Sequence, residues 1–400
     1  MSYKLLFSDI ASRLRFDEID IDNWVFKFYS KVTVGLFWAA AACSVANSYT
    51  GKEIECKGGS GYDDHYCWLH GVEHLKPGQI TNTIMNGHDC ISTDHFADQE
   101  EKRMTYYLWV SLVLFLCGAV FAIPNEIWKH FEGGFLKQFG DNRYSFLKEE
   151  NRENAAKQYN NFSKNATNRY FFIFLIIEIA HFVLGNIVFR LLDTFIDGKF
   201  VSYGSDTIAY LRDQSNSVEV HTDDATYELK VNPMCNVFPT VAACSVSTFG
   251  VNGEEDIKSN ICIMGQNIMN QKIFLVLWIW FMVLFAVSGC QIIYRLATLL
   301  VPGLQTRAIQ SYMRSKDDAA VKELKLGFDY IGNWFVLTQI GSNSNPYAFR
   351  IFMEDITGIT RKRDEQKEKT KKQKLKEKNS KEEVKEEKLK GGDEVINIEK

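Results

Sequence analysis

Four stretches of the chain run apolar for the length of a helix, and the charged residues fall between them. The first extends over about residues 25–46, and its uncharged part begins after Lys31. The second covers about 104–127 and is uncharged from Tyr106 to Ile123. The third covers about 170–192 and carries Glu178, His181, Asn186 and Arg190. The fourth covers about 273–294 and has no charge at all. A helix that crosses a bilayer needs ~20 mostly apolar residues. One such stretch would fit the buried core of a soluble protein. Four in one chain predict a membrane protein with four spans.

This pattern divides the 400 residues as follows. An N-terminal segment occupies 1–24, and the spans occupy 25–48, 105–127, 170–192 and 273–294. Loops of 49–104, 128–169 and 193–272 separate them, a helical region follows at 295–360, and a Lys/Glu-rich tail fills 361–400. The tail holds 15 basic and 11 acidic residues, which is why the mean hydropathy of −0.18 looks soluble. The first 24 residues are too charged for a cleavable signal peptide, so the first span is expected to be an uncleaved anchor.

Charge assigns the sides. Residues 49–104 have 5 basic against 10 acidic, and 193–272 have 5 against 11. Residues 125–169 have 8 basic and 6 acidic, and 295–400 have 22 and 17. Basic residues near span ends mark the cytoplasmic side. The middle loop and both termini are therefore expected inside, and 49–104 and 193–272 outside. The nine cysteines agree. Cys43, Cys117 and Cys290 fall in spans; Cys56, Cys67, Cys90, Cys235, Cys244 and Cys262 fall in the two outer loops, where an oxidising compartment favours disulfides. Six cysteines allow 15 pairings, which arithmetic cannot choose between. Their spacings lack the close pairs of a zinc site. The net charge of −4 shows no basic excess of the kind that nucleic acid attracts.

No nucleotide loop, metal cluster or nucleophile motif is present, so neither catalysis nor a cofactor is expected. Gly58-Gly-Ser-Gly61 is read as a turn that does not precede a helix, and His65, His70 and His74 as surface histidines. Glu178 is the sharpest residue, because ionisable groups in membrane helices face the bundle interior or water. His181 lies one turn on, with Asn186 near the same face. Two readings stand, a polar clasp between helices or a pore or gate element. Ala39 to Ala42, Ser44 and Ala46 form a surface of small residues, suited either to close helix packing or to lining a wide pore. Residues 3–16 have helical apolar spacing, fitting an interfacial helix or a pore mouth. Phe16, Trp38, Ala39, Ala42, Glu53 and Glu55 are the pore and mouth candidates.

Several segments together resemble the innexins, the invertebrate gap-junction channel family. Tyr106-Tyr-Leu-Trp-Val110 is similar to the YYQWV signature, with Leu108 in place of Gln. Tyr49-Thr-Gly-Lys-Glu-Ile-Glu-Cys56 resembles Y-x-G-x-P-I-x-C, with Glu53 in place of Pro. Tyr66-Cys-Trp-Leu-His70, Trp128-Lys-His-Phe-Glu-Gly-Gly134, Asn270-Gln-Lys-Ile-Phe274 and Gly332-Asn-Trp-Phe-Val-Leu337 match further motifs in order. The likeness is strongest to insect and insect-virus members. It implies pairs Cys56–Cys262 and Cys67–Cys244, and leaves Cys90 and Cys235 as an additional pair expected to bond to each other. The fold expected is an all-α membrane protein: a four-helix bundle with disulfide-linked extracellular loops and a helical cytoplasmic domain. The function implied is a plasma-membrane channel subunit in a homomeric or mixed ring of eight, docking onto a ring of the adjacent cell and passing ions and small metabolites. An undocked hemichannel and a four-span adhesion or scaffold protein without a pore are the alternatives.

Overall fold

The computed structural model describes residues 19–57, 61–75, 90–91, 103–140, 144–162, 164–212, 217–221, 226–230, 232–249, 251–314, 321, 324 and 327–358. Phe16 and the tail at 361–400 lie outside the described residues. The chain divides into two compact units. Among the described residues the first runs over 22–130 and 175–294, the second over 19–21, 131–174 and 295–358.

Four helices are long and apolar enough to cross a membrane: Trp24–Asn47, Val110–Glu132, Asn165–Phe195 and Gly265–Leu300. The first is composite. A short α1 (Trp24–Lys27) passes through a π-helical turn (Phe28–Thr33) into α2 (Val34–Thr50). The second is α4 (Val110–Glu132), following α3 (Gly61–His70). After α5 (Glu149–Asn161) come α6 (Lys164–Phe195) and α7 (Phe200–Leu211). A one-turn α8 (Pro233–Val237) precedes α9 (Gly265–Leu300). At 36 residues α9 is ~54 Å long by helical rise, well beyond a ~30 Å hydrocarbon core. The helices therefore outlast the apolar stretches that locate them.

In the first unit the helices meet along seams spaced three and four apart. Val34, Phe37 and Ala41 of α2, Val110, Leu114, Cys117 and Phe121 of α4, and Phe274, Leu277, Phe281 and Leu284 of α9 are all buried in one core with Val188 and Leu192 of α6. That spacing returns each buried side chain to the same helix face. The opposite faces are apolar too: Leu112, Phe115, Leu116, Ile176, Ile187, Val276 and Ile279 are exposed. Helices apolar all round suit a lipid surround, where packing rather than hydrophobicity selects the seam.

The regions 49–104 and 193–272 contain a five-stranded antiparallel sheet as well as helices, a feature absent from the sequence reading. Its strands are β1 (Glu55–Cys56), β2 (Val72–Glu73), β3 (Arg103–Met104), β6 (Val241–Phe249) and β7 (Glu255–Ile263), in the order β1-β7-β6-β2-β3. A separate hairpin pairs β4 (Ser217–His221) with β5 (Thr226–Lys230). One face of the sheet covers a core of Ile54, Val72, Tyr107, Ala242, Val246 and Met264. A helix begins at Gly61, so Gly58-Gly-Ser-Gly61 does precede a helix, contrary to expectation; residues 58–60, where the turn is expected, lie outside the described residues.

The second unit is helical. Its centre is α11 (Ile331–Asn343), buried from Ile331 to Gly341 except at the half-buried Asn333, with α10 (Pro302–Met313) and a helix at 346–358. Trp334, Phe335, Val336 and Leu337 are all buried. Gln305 ties this core together: its carbonyl accepts from Trp334 Nε1 at 3.1 Å, and its own amide donates to Thr298 O at 2.8 Å. Arg152 and Asp355 pair at 2.7 Å, and the Arg295 guanidinium lies over the rings of Phe174 and Phe335 at 5.3 and 5.2 Å.

Candidate functional site

Three disulfides join the two regions that build the sheet. Cys56 bonds to Cys262, directly opposite it in the β1–β7 register. Cys67 of α3 bonds to Cys244 of β6, and Cys90 to Cys235 of α8. The sulfurs of Cys56, Cys67 and Cys262 lie within 4.8 Å of one another. Each is consumed in a disulfide, so none offers the thiolate that zinc would need. Every bridge closes a loop of more than a hundred residues, which strongly restricts the unfolded chain.

Hydrogen bonds anchor the sheet beside the bridges. Tyr107 Oη donates towards the carbonyls of Cys67 and Trp68, both at 3.2 Å, and its ring lies tilted against that of Trp68 with centroids 4.6 Å apart. Burial raises the Tyr107 phenol above its ordinary range, so it remains a donor. Tyr106 packs edge-on to Phe238, Val110 is buried in the helix core, and Trp109 is exposed. Leu108 packs against the sheet core. Glu73, buried in β2, accepts from Arg103 Nε at 3.1 Å and from Ser245 Oγ at 3.4 Å. Neither partner of this cluster is visible in the sequence, because Glu73, Arg103 and Ser245 come together only through strand pairing.

The intramembrane polar residues separate. Glu178 is buried and accepts from Asn23 Nδ2 at 2.5 Å; Asn23 also caps α1 by accepting from Phe26 N at 2.8 Å. His181 is fully buried, with Nδ1 3.0 Å from Ile177 O and the rings of Phe26 and Tyr29 at 4.7 and 5.2 Å. Tyr29 Oη in turn lies 3.2 Å from Ser288 Oγ on α9. Asn186 does not share this face. It is exposed, and its amide donates to Phe182 O at 2.8 Å. Eight residues along a helix leave a position ~80° off the starting face, enough to carry Asn186 out of the packed seam.

In α2 the small residues also divide. Ser44 is buried, accepting from Gln266 Nε2 at 2.8 Å, and Ala41 is in the core. Gly35, Ala39, Ala42 and Ala46 are exposed and lie four, three and four residues apart, forming one stripe. Trp38 borders it, stacked on Phe115 and donating to Phe115 O at 3.3 Å. The π-turn places Thr33 Oγ1 2.8 Å from Phe28 O, where it accepts from Trp280 Nε1 at 2.9 Å. Glu55 is exposed and paired with Lys52 at 2.8 Å, and Glu53 is half-buried.

Four apolar membrane-length helices and a disulfide-stapled sheet define a four-span membrane protein. The innexin family profile matches residues 22–359, and the chain belongs to that family. It is 31% identical to innexin inx2 of Drosophila melanogaster over 88% of this chain and 95% of that one. Innexin inx2 of Schistocerca americana and innexin inx4 of Drosophila melanogaster are each 29% identical, over 88% and 87% of the chain and 96% and 94% of their own lengths. Innexins are subunits of oligomeric gap-junction channels of the plasma membrane, and the family acts as a channel rather than an enzyme.

Proposed function

We propose that this chain forms a homomeric or mixed ring of eight subunits that docks head to head with a ring on the adjacent cell. Both termini lie in the cytoplasm; regions 49–104 and 193–272 face outward and make the docking surface. The charge asymmetry and the oxidised cysteines support this orientation. The N-terminal segment, including Phe16, and the exposed stripe of Ala39 and Ala42 line the pore, with Trp38 at its margin. Small side chains leave a wide lumen for hydrated ions and small metabolites. Glu53 and Glu55 sit near the mouth, and the acidic outer loops favour cations there. Glu178 and His181 clasp the first and third spans.

The observation that carries the docking reading is the stapling of both loop regions into one sheet. Cys56 and Cys262 are 206 residues apart in sequence yet paired across neighbouring strands. A surface ordered before contact loses less conformational entropy on association than a pair of free loops. The test is dual voltage clamp on two touching cells that express this chain alone. Junctional current supports the docked channel. Dye uptake by single cells at low calcium without junctional current replaces it with an undocked hemichannel. Silence in both, with protein at the surface, refutes the homomeric pore.

A further inference from the structure

Asp20, just ahead of the first span, is gripped by a side chain 323 positions away. That side chain is Asn343, the last residue of α11. Its Oδ1 accepts from Asp20 N at 2.6 Å, and its Nδ2 donates to Asp20 O at 2.8 Å. Nδ2 also donates to Gln339 O at 2.9 Å, one turn back in α11, which orients the amide. Both bonds to Asp20 are made to its main chain. A side-chain amide carries one acceptor and a pair of donors, so it meets a backbone N–H and C=O together, as a neighbouring strand does. A carboxylate offers only acceptors, and an aliphatic side chain offers neither.

Ile19 adds an apolar attachment beside the amide. It is buried, and it lines a pocket with Leu136, Phe139, Phe146 and Ile340 that Asn343 borders. Residues 19–21 accordingly belong to the second compact unit, with 131–174 and 295–358. Asn23, three residues on, caps α1 and opens the first span. The chain is therefore fixed twice within a few residues, once to each unit. Releasing Asp20 returns backbone freedom to the chain ahead of α1, and with it further placements of whatever precedes it.

We propose that Asn343 is the positioning residue of the N-terminal pore segment. By holding the backbone of Asp20, it lets the helical unit bias where that segment stands and hence the balance of open and closed channels. This rests on the reading of 1–24 as pore lining.

The experiment compares Asn343→Leu, Asn343→Asp, Asp20→Pro and the double variant Asp20→Pro with Asn343→Leu. Leu removes both bonds at nearly constant volume. Asp sets a carboxylate oxygen against the carbonyls of Asp20 and Gln339, and Pro removes the Asp20 donor without touching α11. The first readout is the voltage dependence of current, recorded in paired cells, or in single cells where pairs are silent. Each single variant changes the open-to-closed ratio at a fixed voltage about fivefold, the worth of one lost hydrogen bond. The double variant matches the stronger single one, because the same contact is already broken. Arg152→Leu removes the 2.7 Å pair with Asp355 in the same unit and leaves the ratio unchanged. A shift of equal size in Arg152→Leu, or fully additive effects in the double variant, reduces Asn343 to a structural role and overturns the proposal. The second readout is amide hydrogen exchange of peptides covering 19–24 in solubilised protein, which does not depend on the pore. Asn343→Leu speeds it about fivefold, and unchanged exchange overturns the hold on Asp20. Faster exchange with an unchanged voltage response keeps that hold and refutes the pore-lining reading instead.

Discussion

Gly332→Ala tests how the second unit is packed. A methyl group built on Gly332 meets the backbone of α6, with its carbon 2.1 Å from Thr167 C and 2.2 Å from Asn168 N and Thr167 O. These are main-chain atoms, so no rotamer change relieves the clash. The contact is also locked by hydrogen bonds. Gly332 N donates to Asn168 Oδ1 at 2.9 Å, Asn168 Nδ2 to Asp329 O at 3.0 Å, and Thr167 Oγ1 to Asn333 Oδ1 at 2.7 Å. Overpacking costs ~1–3 kcal/mol when side chains can adjust, and a backbone obstacle belongs at the top of that range. Losing one of the hydrogen bonds adds ~1 kcal/mol, for a total of ~4 kcal/mol. At roughly 2–4 °C per kcal/mol, the midpoint of thermal unfolding of the detergent-solubilised protein falls by ~8–16 °C. Gly303→Ala is the control, since nothing lies within 4 Å of a methyl there. A Gly332→Ala midpoint within ~2 °C of wild type would show that the helices do not cross this closely.

Four further outcomes follow from the same structure. Replacing Cys56 and Cys262 by serine removes a bridge across β1 and β7 and costs ~2–5 kcal/mol, read as a lower unfolding midpoint and lost junctional coupling; unchanged coupling would detach docking from loop stiffness. Glu178→Leu leaves Asn23 Nδ2 without its acceptor and costs ~1–3 kcal/mol, whereas Glu178→Gln keeps an acceptor and costs less. A voltage-dependence change in both variants with no stability loss would make Glu178 a gating group rather than a clasp. Replacing Glu53 and Glu55 by Gln removes two negative charges and leaves Lys52 without its 2.8 Å partner, so cation preference falls; an unchanged reversal potential in a salt gradient counts against a mouth position. Ala39→Trp narrows the proposed pore and lowers unitary conductance, and an unaltered conductance would place the stripe against a neighbouring subunit or lipid instead.

The spans were legible because lipid imposes a simple rule. Backbone polar groups must be satisfied within the helix and side chains must be apolar, so a long uncharged run has few other solutions. Helix ends were less legible: α6 begins at Lys164 and α9 continues to Leu300, where a helix needs only tolerable propensity. The sheet was hidden for a different reason. Val241–Phe249 is rich in β-branched and small residues, but Glu255–Ile263 alternates too weakly to announce a strand. Its partners β1 and β6 are fixed by register and by bonds to residues far away in sequence. Asn186 and Ser44 show the limit of counting positions on one helix. Which side of a helix faces inward depends on its neighbours, and Gln266 of α9 is what turns Ser44 inward.

The least legible part of the candidate site is the first two turns of α9, where the sheet is joined to the helices. Gln266 Nε2 donates to Ser44 Oγ, and its Oε1 accepts from Asn47 Nδ2 at 2.8 Å, so it holds the end of α2. Asn267 Nδ2 donates to Pro239 O at 2.7 Å, and Gln271 Nε2 to Phe238 O at 2.8 Å, fixing the entry to β6. Tyr203 Oη of α7 donates to Gln271 O at 2.9 Å. Gln266, Asn267, Asn270 and Gln271 are all buried. Uncharged amides suit this position, because each both donates and accepts and carries no ionic desolvation penalty. A run of Asn and Gln before an apolar span reads as a solvated helix start, yet here it is a buried junction. It couples the orientation of the sheet to the ends of the first and fourth helices.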